Sequence, residues 1–318
     1  MHKGEAMHIA VLGAGAMGSL FGGYLSRKND VLLIDVSQPV VDAINSKKLQ
    51  ITEPDGSSAG YAVHAVTNVH AANGFKADLV IVFVKAMYSR DALQSIAPIM
   101  DAGTCLMSLQ NGVGHEDLLL EFADKDHVLI GTTQHNCAVL APGSVRHGGS
   151  GATHLARVSG SVEGLSTLAE NFTACGLQAD CSANYKQLVW EKLLTNVSAS
   201  ALTGALQVPL GFIVSDSHAW ILCQELVREA VSVAKADGAV FDVVAETEKV
   251  RQVCVKSPEG ITSICADIKA GRRTEVDTIS GGVVKKAKRL GISAPYHEMM
   301  VELIHSLEGK AAITKIGG

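Results

Sequence analysis

Three polar residues recur at four-residue intervals in the run from Leu188 to Ser200: Lys192, Asn196 and Ser200. Written as a helix, that spacing puts all three on one face, with Val189, Leu193 and Val197 lining a neighbouring stripe. A lysine so placed is either an ammonium in water, the ordinary case, or a proton donor lining a cleft. A second set of chemistry-bearing residues lies between Ser257 and Gly281, where Ser263, Asp267, Arg272, Arg273, Glu275 and Asp277 are close together. Taken alone, that charge-rich run reads as a solvated helix start. Lys85 and Asn111 each follow an apolar run, where a strand would deliver them to a ligand crevice or simply to a loop.

The elements that must position these groups begin with a strand, a glycine turn, a helix and a second strand. His8–Leu12 is a short β-rich run, Ser19–Arg27 has helical periodicity, and Val31–Asp35 reads as the next strand. Between the first two stands Gly13-Ala14-Gly15-Ala16-Met17-Gly18. In that setting Gly13 serves the tight turn, Gly15 the close approach of a pyrophosphate, and Gly18 the packing of helix on strand. The helix start, with Ala16 and Met17, then offers free N–H groups and the positive end of its dipole to phosphates. Asp35 ends the second strand, where a carboxylate accepts from a ribose 2′-hydroxyl and repels a 2′-phosphate. Ser37 and Gln38 add no positive charge, so this reading favours NAD over NADP, although Lys47, Lys48 or a side chain from elsewhere could assist a phosphate.

The alternation continues through Ala77–Lys85, Cys105–Gly114 and His127–Thr133, apolar runs of the kind buried on both faces of a parallel sheet. From Cys137 to His154 short glycine-rich segments read as small antiparallel strands closing one edge of that sheet. Gly164–Cys175 is helical, Leu177–Cys181 reads as a last strand, and almost everything from Tyr185 onward is helical, with segments at Trp220–Ala236, Val243–Lys256, Ile261–Ala270, Val276–Leu290 and Tyr296–Leu307. Pro209, Pro258 and Pro295 fall at or near the breaks. The expected architecture is therefore an α/β dinucleotide-binding domain of Rossmann type over residues 1–183, followed by an all-helical domain over 184–318.

Composition narrows the classes. With 318 residues, 47% apolar and 19% charged, the chain can bury the cores of two domains. A formal charge of −5 gives no basic footprint for nucleic acid or an acidic membrane. Seven scattered cysteines without a C-x-x-C suit a reducing cytoplasm better than a disulfide framework or a zinc site. The leader Met1–Ala6 is polar and Met7 opens the first apolar run at once, which leaves no room for a signal peptide. No H-E-x-x-H or comparable cluster suggests a metal, and His135 and His154 read as loop or cleft residues.

The ordered set of Gly13–Gly18, Lys85, Asn111-Gly112-x-Gly114, Gly131-Thr132-Thr133, Trp190-Glu191-Lys192-Leu193 with Asn196, and Arg272-Arg273-Thr274-Glu275-Val276-Asp277 resembles the ketopantoate reductase (2-dehydropantoate 2-reductase) family over His8 to about Leu307. The resemblance implies reduction of the keto carbon of a 2-oxo acid by NAD(P)H, with Lys192 as general acid and Glu275 as its partner carboxylate. It implies Asn111 near the nicotinamide, Lys85 as a second active-site lysine, Asn196 and Ser263 on the substrate, and a homodimer. Where characterised members carry asparagine, this chain has Ser200, Leu210 and Gly260. Loss of amide donors and gain of a leucine suit an apolar or aromatic side chain better than a hydroxyl-bearing one. The alternative is thus an NAD-dependent D-2-hydroxyacid dehydrogenase acting on a branched or aromatic 2-oxo acid. A non-catalytic nucleotide-binding redox sensor would keep the glycine loop but has no need of Lys192 and Glu275.

Overall fold

A computed structural model describes residues 6–72 and 74–316; all of the leader Met1–Ala6 except Ala6 lies outside the described residues. The chain forms two compact units, one of residues 1–110 and 115–188, the other of 111–114 and 189–318.

The first unit opens with β1 (His8–Leu12), α1 (Ala16–Leu25), β2 (Asp30–Ile34) and α2 (Gln38–Lys47). Three short strands follow, β3 (Leu49–Thr52), β4 (Ser58–Tyr61) and β5 (His64–Val66). Then come β6 (Leu79–Val82), α3 (Ser89–Ser95), β7 (Cys105–Ser108), α4 (His115–Leu119) and β8 (Val128–Thr133). The unit ends with β9 (Asn136–Ala141), β10 (Ser144–Gly149), β11 (Thr153–Arg157), α5 (Leu165–Ala174) and β12 (Ala179–Ser182). The main sheet runs β12-β11-β8-β7-β6-β1-β2-β5. From β8 to β5 all pairs are parallel, and every residue of β6, β7 and β8 is buried, which is why these strands read as unbroken apolar text. The strand order reverses on either side of β1, so the crevice beyond the carboxyl ends of β1 and β6 is the place for a ligand.

The glycine-rich segments after Cys137 behave differently from the expectation. β9 and β10 do not close the edge of the main sheet; they join β3 and β4 in a separate four-stranded sheet of order β4-β3-β10-β9. The cause is burial: Val145 of β10 joins Leu49 and Ile51 of β3 in one apolar layer, all three at most 1% exposed, and α1 contacts this layer. Only β11 reaches the main sheet, pairing antiparallel with β8, and β12 completes the edge.

Both histidines read as loop or cleft residues have defined places. His154 lies on β11 with its Nδ1 2.6 Å from Asp180 Oδ1. His135 is buried, its Nδ1 3.0 Å from His147 Nε2, while His147 Nδ1 is 2.9 Å from Glu53 Oε2. That chain fixes the tautomers if Nδ1–H donates at each ring, which leaves His135 Nε2 as an unprotonated acceptor. Tyr24 donates its hydroxyl to the other oxygen of Glu53 at 2.6 Å.

The second unit is helical: α6 (Tyr185–Leu206, beginning in the first unit), α7 (Leu210–Ser215), α8 (Ser217–Asp237), α9 (Val243–Lys256), α10 (Ser263–Lys269), α11 (Ser280–Leu290) and α12 (Pro295–Ile316). Its stops follow local chemistry. Asp216, Asp242 and Thr262 cap α8, α9 and α10 by accepting backbone N–H bonds, and Gly238 and Gly291 end α8 and α11 in the left-handed region. Pro209 and Pro295 sit at helix starts, where a missing N–H costs nothing. The helix expected from Val276 begins only at Ser280, because the Thr278 N–H goes back three residues to the Glu275 carbonyl and the Gly281 N–H back five to that of Val276, which interrupts the regular four-residue ladder ahead of Ser280. Among the described residues no helix is long and apolar enough to cross a membrane.

Candidate functional site

The glycine loop is shaped by contacts that explain each glycine. Gly13 has φ +94° and donates its N–H to the Ile34 carbonyl at 2.7 Å, tying the turn to the end of β2. A Cβ on Gly18 would stand 1.8 Å from the Gly13 carbonyl oxygen, so only glycine lets α1 start this close to the turn. At Gly15 no atom beyond its own residue and its two chain neighbours lies within 4 Å of where a Cβ would be, which leaves open space above the start of α1, where Ala16 and Met17 are half-buried. The space and the helix N-terminus fit a pyrophosphate. Asp35 accepts from the Ala14 N–H (2.7 Å) with one oxygen and from the Ser37 N–H (2.9 Å) with the other. The carboxylate thus braces the loop, with acceptor capacity left for a ribose hydroxyl.

Lys85 stands past the end of β6, at the start of a short 3-10 turn whose Tyr88 N–H bonds its carbonyl at 2.8 Å. Gln110 was not singled out from the sequence, yet its amide donates to the Val84 carbonyl (2.6 Å) and the Ser89 hydroxyl (2.8 Å) and accepts from the Ser108 hydroxyl (2.9 Å). It therefore holds the Lys85 segment against the end of β7. Its signal was its place, directly before Asn111 at a strand end.

In the second unit, Lys192, Asn196 and Ser200 do share α6, the first two half-buried and Ser200 buried. The helix is anchored by Trp190, fully buried, whose indole N–H donates to Asp237 Oδ2 at 3.0 Å; Lys286 Nζ is 3.9 Å from the other oxygen. Burial pulls the Lys192 ammonium down to about 8, and the negative charge of Glu275 works against that fall. Lys192 and Glu275, 83 positions apart by their numbers, are thus brought into electrostatic contact. Glu275 sits in the turn before α11, and Asn111 belongs to a loop pinned to the same turn: the Val113 N–H donates to the Thr278 carbonyl at 3.1 Å. Gly112 makes that docking possible, since a Cβ there would stand 2.3 Å from the Thr278 oxygen.

Ser263 is exposed on the first turn of α10, immediately after Thr262. The Thr262 hydroxyl, not singled out from the sequence, lies 2.8 Å from that of Thr203 and 3.5 Å from the Ser200 carbonyl, linking α10 to α6. Leu210 and Gly260 touch one another: the Leu210 N–H donates to the Gly260 carbonyl at 3.0 Å, and a Cβ on Gly260 would meet Leu210 Cδ1 at 2.9 Å. The leucine and the glycine therefore fit as a pair, and a larger residue at 260 would displace the leucine. The glycine loop, Asp35 and Lys85 belong to the first unit, whereas Lys192, Glu275, Asn111, Asn196, Ser200 and Ser263 belong to the second.

Family models described as ketopantoate reductase PanE/ApbA and its C-terminal domain match residues 9–160 and 184–308. A 2-dehydropantoate 2-reductase of Halobacterium salinarum is 32% identical over 300 residues, covering 94% of this chain and 98% of that protein. A D-mandelate dehydrogenase solved with NADH and anilino(oxo)acetate superposes with TM-score 0.88 at 31% identity, over 96% of this chain and 99% of its own. A PanE/ApbA family ketopantoate reductase from Ralstonia eutropha gives TM-score 0.86 at 28% identity, over 96% and 100%. With two family models in order, full-length relatives and a fitting glycine loop, the chain belongs to the ketopantoate reductase family of NAD(P)H-dependent oxidoreductases.

Proposed function

We propose that this protein reduces 2-dehydropantoate to pantoate, with residues 1–183 holding the dinucleotide and 184–318 supplying the acid and the substrate contacts. The observation that carries this reading is the pairing of Lys192, drawn down to about 8, with Glu275. NAD(P)H bound at the glycine loop supplies the hydride. As the carbonyl oxygen of the 2-oxo acid gains negative charge, the Lys192 ammonium donates a proton to it, and Glu275 orients the ammonium and accepts a substrate hydroxyl. Asn196 and Ser263 bond the substrate, Ser200 borders the same face of α6, Asn111 lies by the nicotinamide, and Lys85 serves as the second active-site lysine.

A second reading has its own support in the Leu210–Gly260 contact. An apolar pair in place of amide donors suits a branched or aromatic 2-oxo acid, and the similar D-mandelate dehydrogenase was solved with NADH and anilino(oxo)acetate. A panel of ketopantoate, 2-oxoisovalerate and phenylglyoxylate, each with NADH and NADPH, separates the two. Highest kcat/KM on ketopantoate upholds the first reading; highest on phenylglyoxylate replaces it by the second; no turnover on any removes both and points to a redox sensor.

Asp35 makes NADH the preferred cofactor, because its carboxylate repels a 2′-phosphate. The expected kcat/KM ratio favours NADH by about tenfold, equivalent to roughly 1.4 kcal/mol, and a preference for NADPH would refute that role. The protein works in the cytoplasm as a homodimer on a small-molecule substrate, without nucleic-acid or membrane partners. The charge of −5 and seven cysteines without a C-x-x-C support that setting.

A further inference from the structure

The turn that carries Glu275 is gripped from α12. Glu308 accepts two bonds with one oxygen, from the Thr274 N–H and from the Thr274 hydroxyl, both at 2.7 Å. Its other oxygen lies 2.9 Å from His305 Nδ1, and His305 Nε2 reaches Asp277 Oδ1 at 3.1 Å. Thr274 is buried, and its hydroxyl oxygen also accepts the Val276 N–H at 3.2 Å. The residue before Glu275 and the residue two after it are therefore both fastened to α12. Glu275 itself is held through its carbonyl, which accepts from the Thr278 and Ile279 N–H groups at 3.1 Å each. The carbonyl of Thr278 in turn receives the N–H of Val113, so the Asn111 loop rests on the same support.

We propose that His305 and Glu308 form a positioning clamp that holds Glu275 in the orientation that keeps the Lys192 ammonium charged. This inference rests on the general-acid reading of Lys192 given above. Neither clamp residue touches the reacting atoms; both act through the 274–278 turn.

The clamp is strongest with His305 doubly protonated, when each ring nitrogen donates to a carboxylate. The bond to Glu308 raises His305 above its ordinary value, desolvation opposes, and Asp277 adds to the rise. For Glu308, burial raises the carboxyl, but the Thr274 N–H and hydroxyl bonds and His305 outweigh it and hold it below the ordinary range. The groups facing the ring are Glu308 from its own helix and Asp277 from the turn; Lys285 of α11 reaches the Asp277 carbonyl at 3.4 Å. Neither α8 nor α10, which also pack on α12, gives the ring an ion pair among the described residues. With a folded value above the unfolded one, the bridge contributes fully below about 6.5 and is lost as pH rises through the raised value. A neutral ring then donates to only one of the two carboxylates.

The test follows Lys192 directly, by 13C NMR of the reductively methylated protein, with the Lys192 resonance assigned against Lys192→Arg. In Glu308→Ala the resonance is expected to titrate at a pH lower than in wild type by at least about 0.5. The alkaline limb of kcat should move with it, kcat should fall roughly tenfold, and NADH affinity should stay within about twofold because the glycine loop is untouched. Glu308→Gln, which keeps one acceptor for Thr274, should recover part of the loss. His305→Ala should move the titration in the same direction by less, and it decides the matter if Glu308→Ala does not fold. An unmoved Lys192 titration in the folded variants overturns the clamp. The NMR titration needs no turnover, so wild-type inactivity toward every 2-oxo acid would sink the proposed reaction while the clamp is still judged on its own.

Discussion

Replacing Lys192 by alanine is expected to lower kcat for 2-oxo acid reduction by about 10²–10⁴, the range typical of a lost general acid. NADH affinity should hardly change, because the cofactor loop lies in the other compact unit. Stopped-flow turnover with saturating NADH, beside a fluorescence titration of NADH binding, measures both quantities. Loss within a few-fold of wild type would remove Lys192 from the chemistry. Lysine suits this role because burial can tune an ammonium, whereas a guanidinium stays charged across the working range. Lys192→Arg should therefore keep the positive charge and still fail to restore proton transfer.

The pH dependence has a definite sign. Burial lowers Lys192 and the Glu275 charge partly restores it, leaving it at about 8. With Lys192 as the proposed general acid, reduction would consume a proton from the charged form, so kcat should hold below that value and fall above it. Oxidation of the 2-hydroxy acid needs the neutral amine as base and should rise over the same interval. Glu275→Gln removes the charge that supports the ammonium, so both limbs should shift to lower pH.

Much of this arrangement could be read from residue order because the relevant signals are local. Gly13, Gly15 and Gly18 lie within six residues, and their roles follow from one turn and one helix start. Lys192, Asn196 and Ser200 share a face by helical period alone. The hairpin at Asn136–Gly149 was not legible in the same way, since alternation announces a strand without naming the sheet that receives it. At Glu275 the apolar spacing of Val276, Ile279 and Val283 mimics a continuous helix, whereas the chain spends Thr274–Ile279 in a turn. His305 and Glu308 gave no signal because their partners in the turn are distant in the chain, Asp277 28 residues from His305 and Thr274 34 residues from Glu308, and nothing in the spacing joins them. Local chemistry was readable where its partners were neighbours in the chain, and hidden where packing alone made them meet.

Gly18→Ala tests the cofactor site at its most constrained point. The added Cβ would stand 1.8 Å from the Gly13 carbonyl oxygen, a backbone atom that cannot swing aside as a side-chain end would. Gly13 is fixed on its other sides, by its N–H on Ile34 and by Val84 N at 3.0 Å from its own Cβ position. The clash must be relieved by moving α1 away from the turn, and α1 carries Leu20, Phe21 and Leu25, all fully buried. Overpacking of this kind costs about 1–3 kcal/mol. That displacement also carries the start of α1 away from where the pyrophosphate would lie. The expected result is a lower Tm and NADH binding weakened by roughly a hundredfold, since each 1.4 kcal/mol is tenfold in affinity. Lys192, in the other unit, should titrate as in wild type. Gly15→Ala provides the contrast: beyond its chain neighbours no atom lies within 4 Å of its Cβ position, so it should fold normally and lose affinity only by crowding the cofactor. Equal loss of Tm in both variants would mean that the loop's shape does not depend on the Gly13–Gly18 contact.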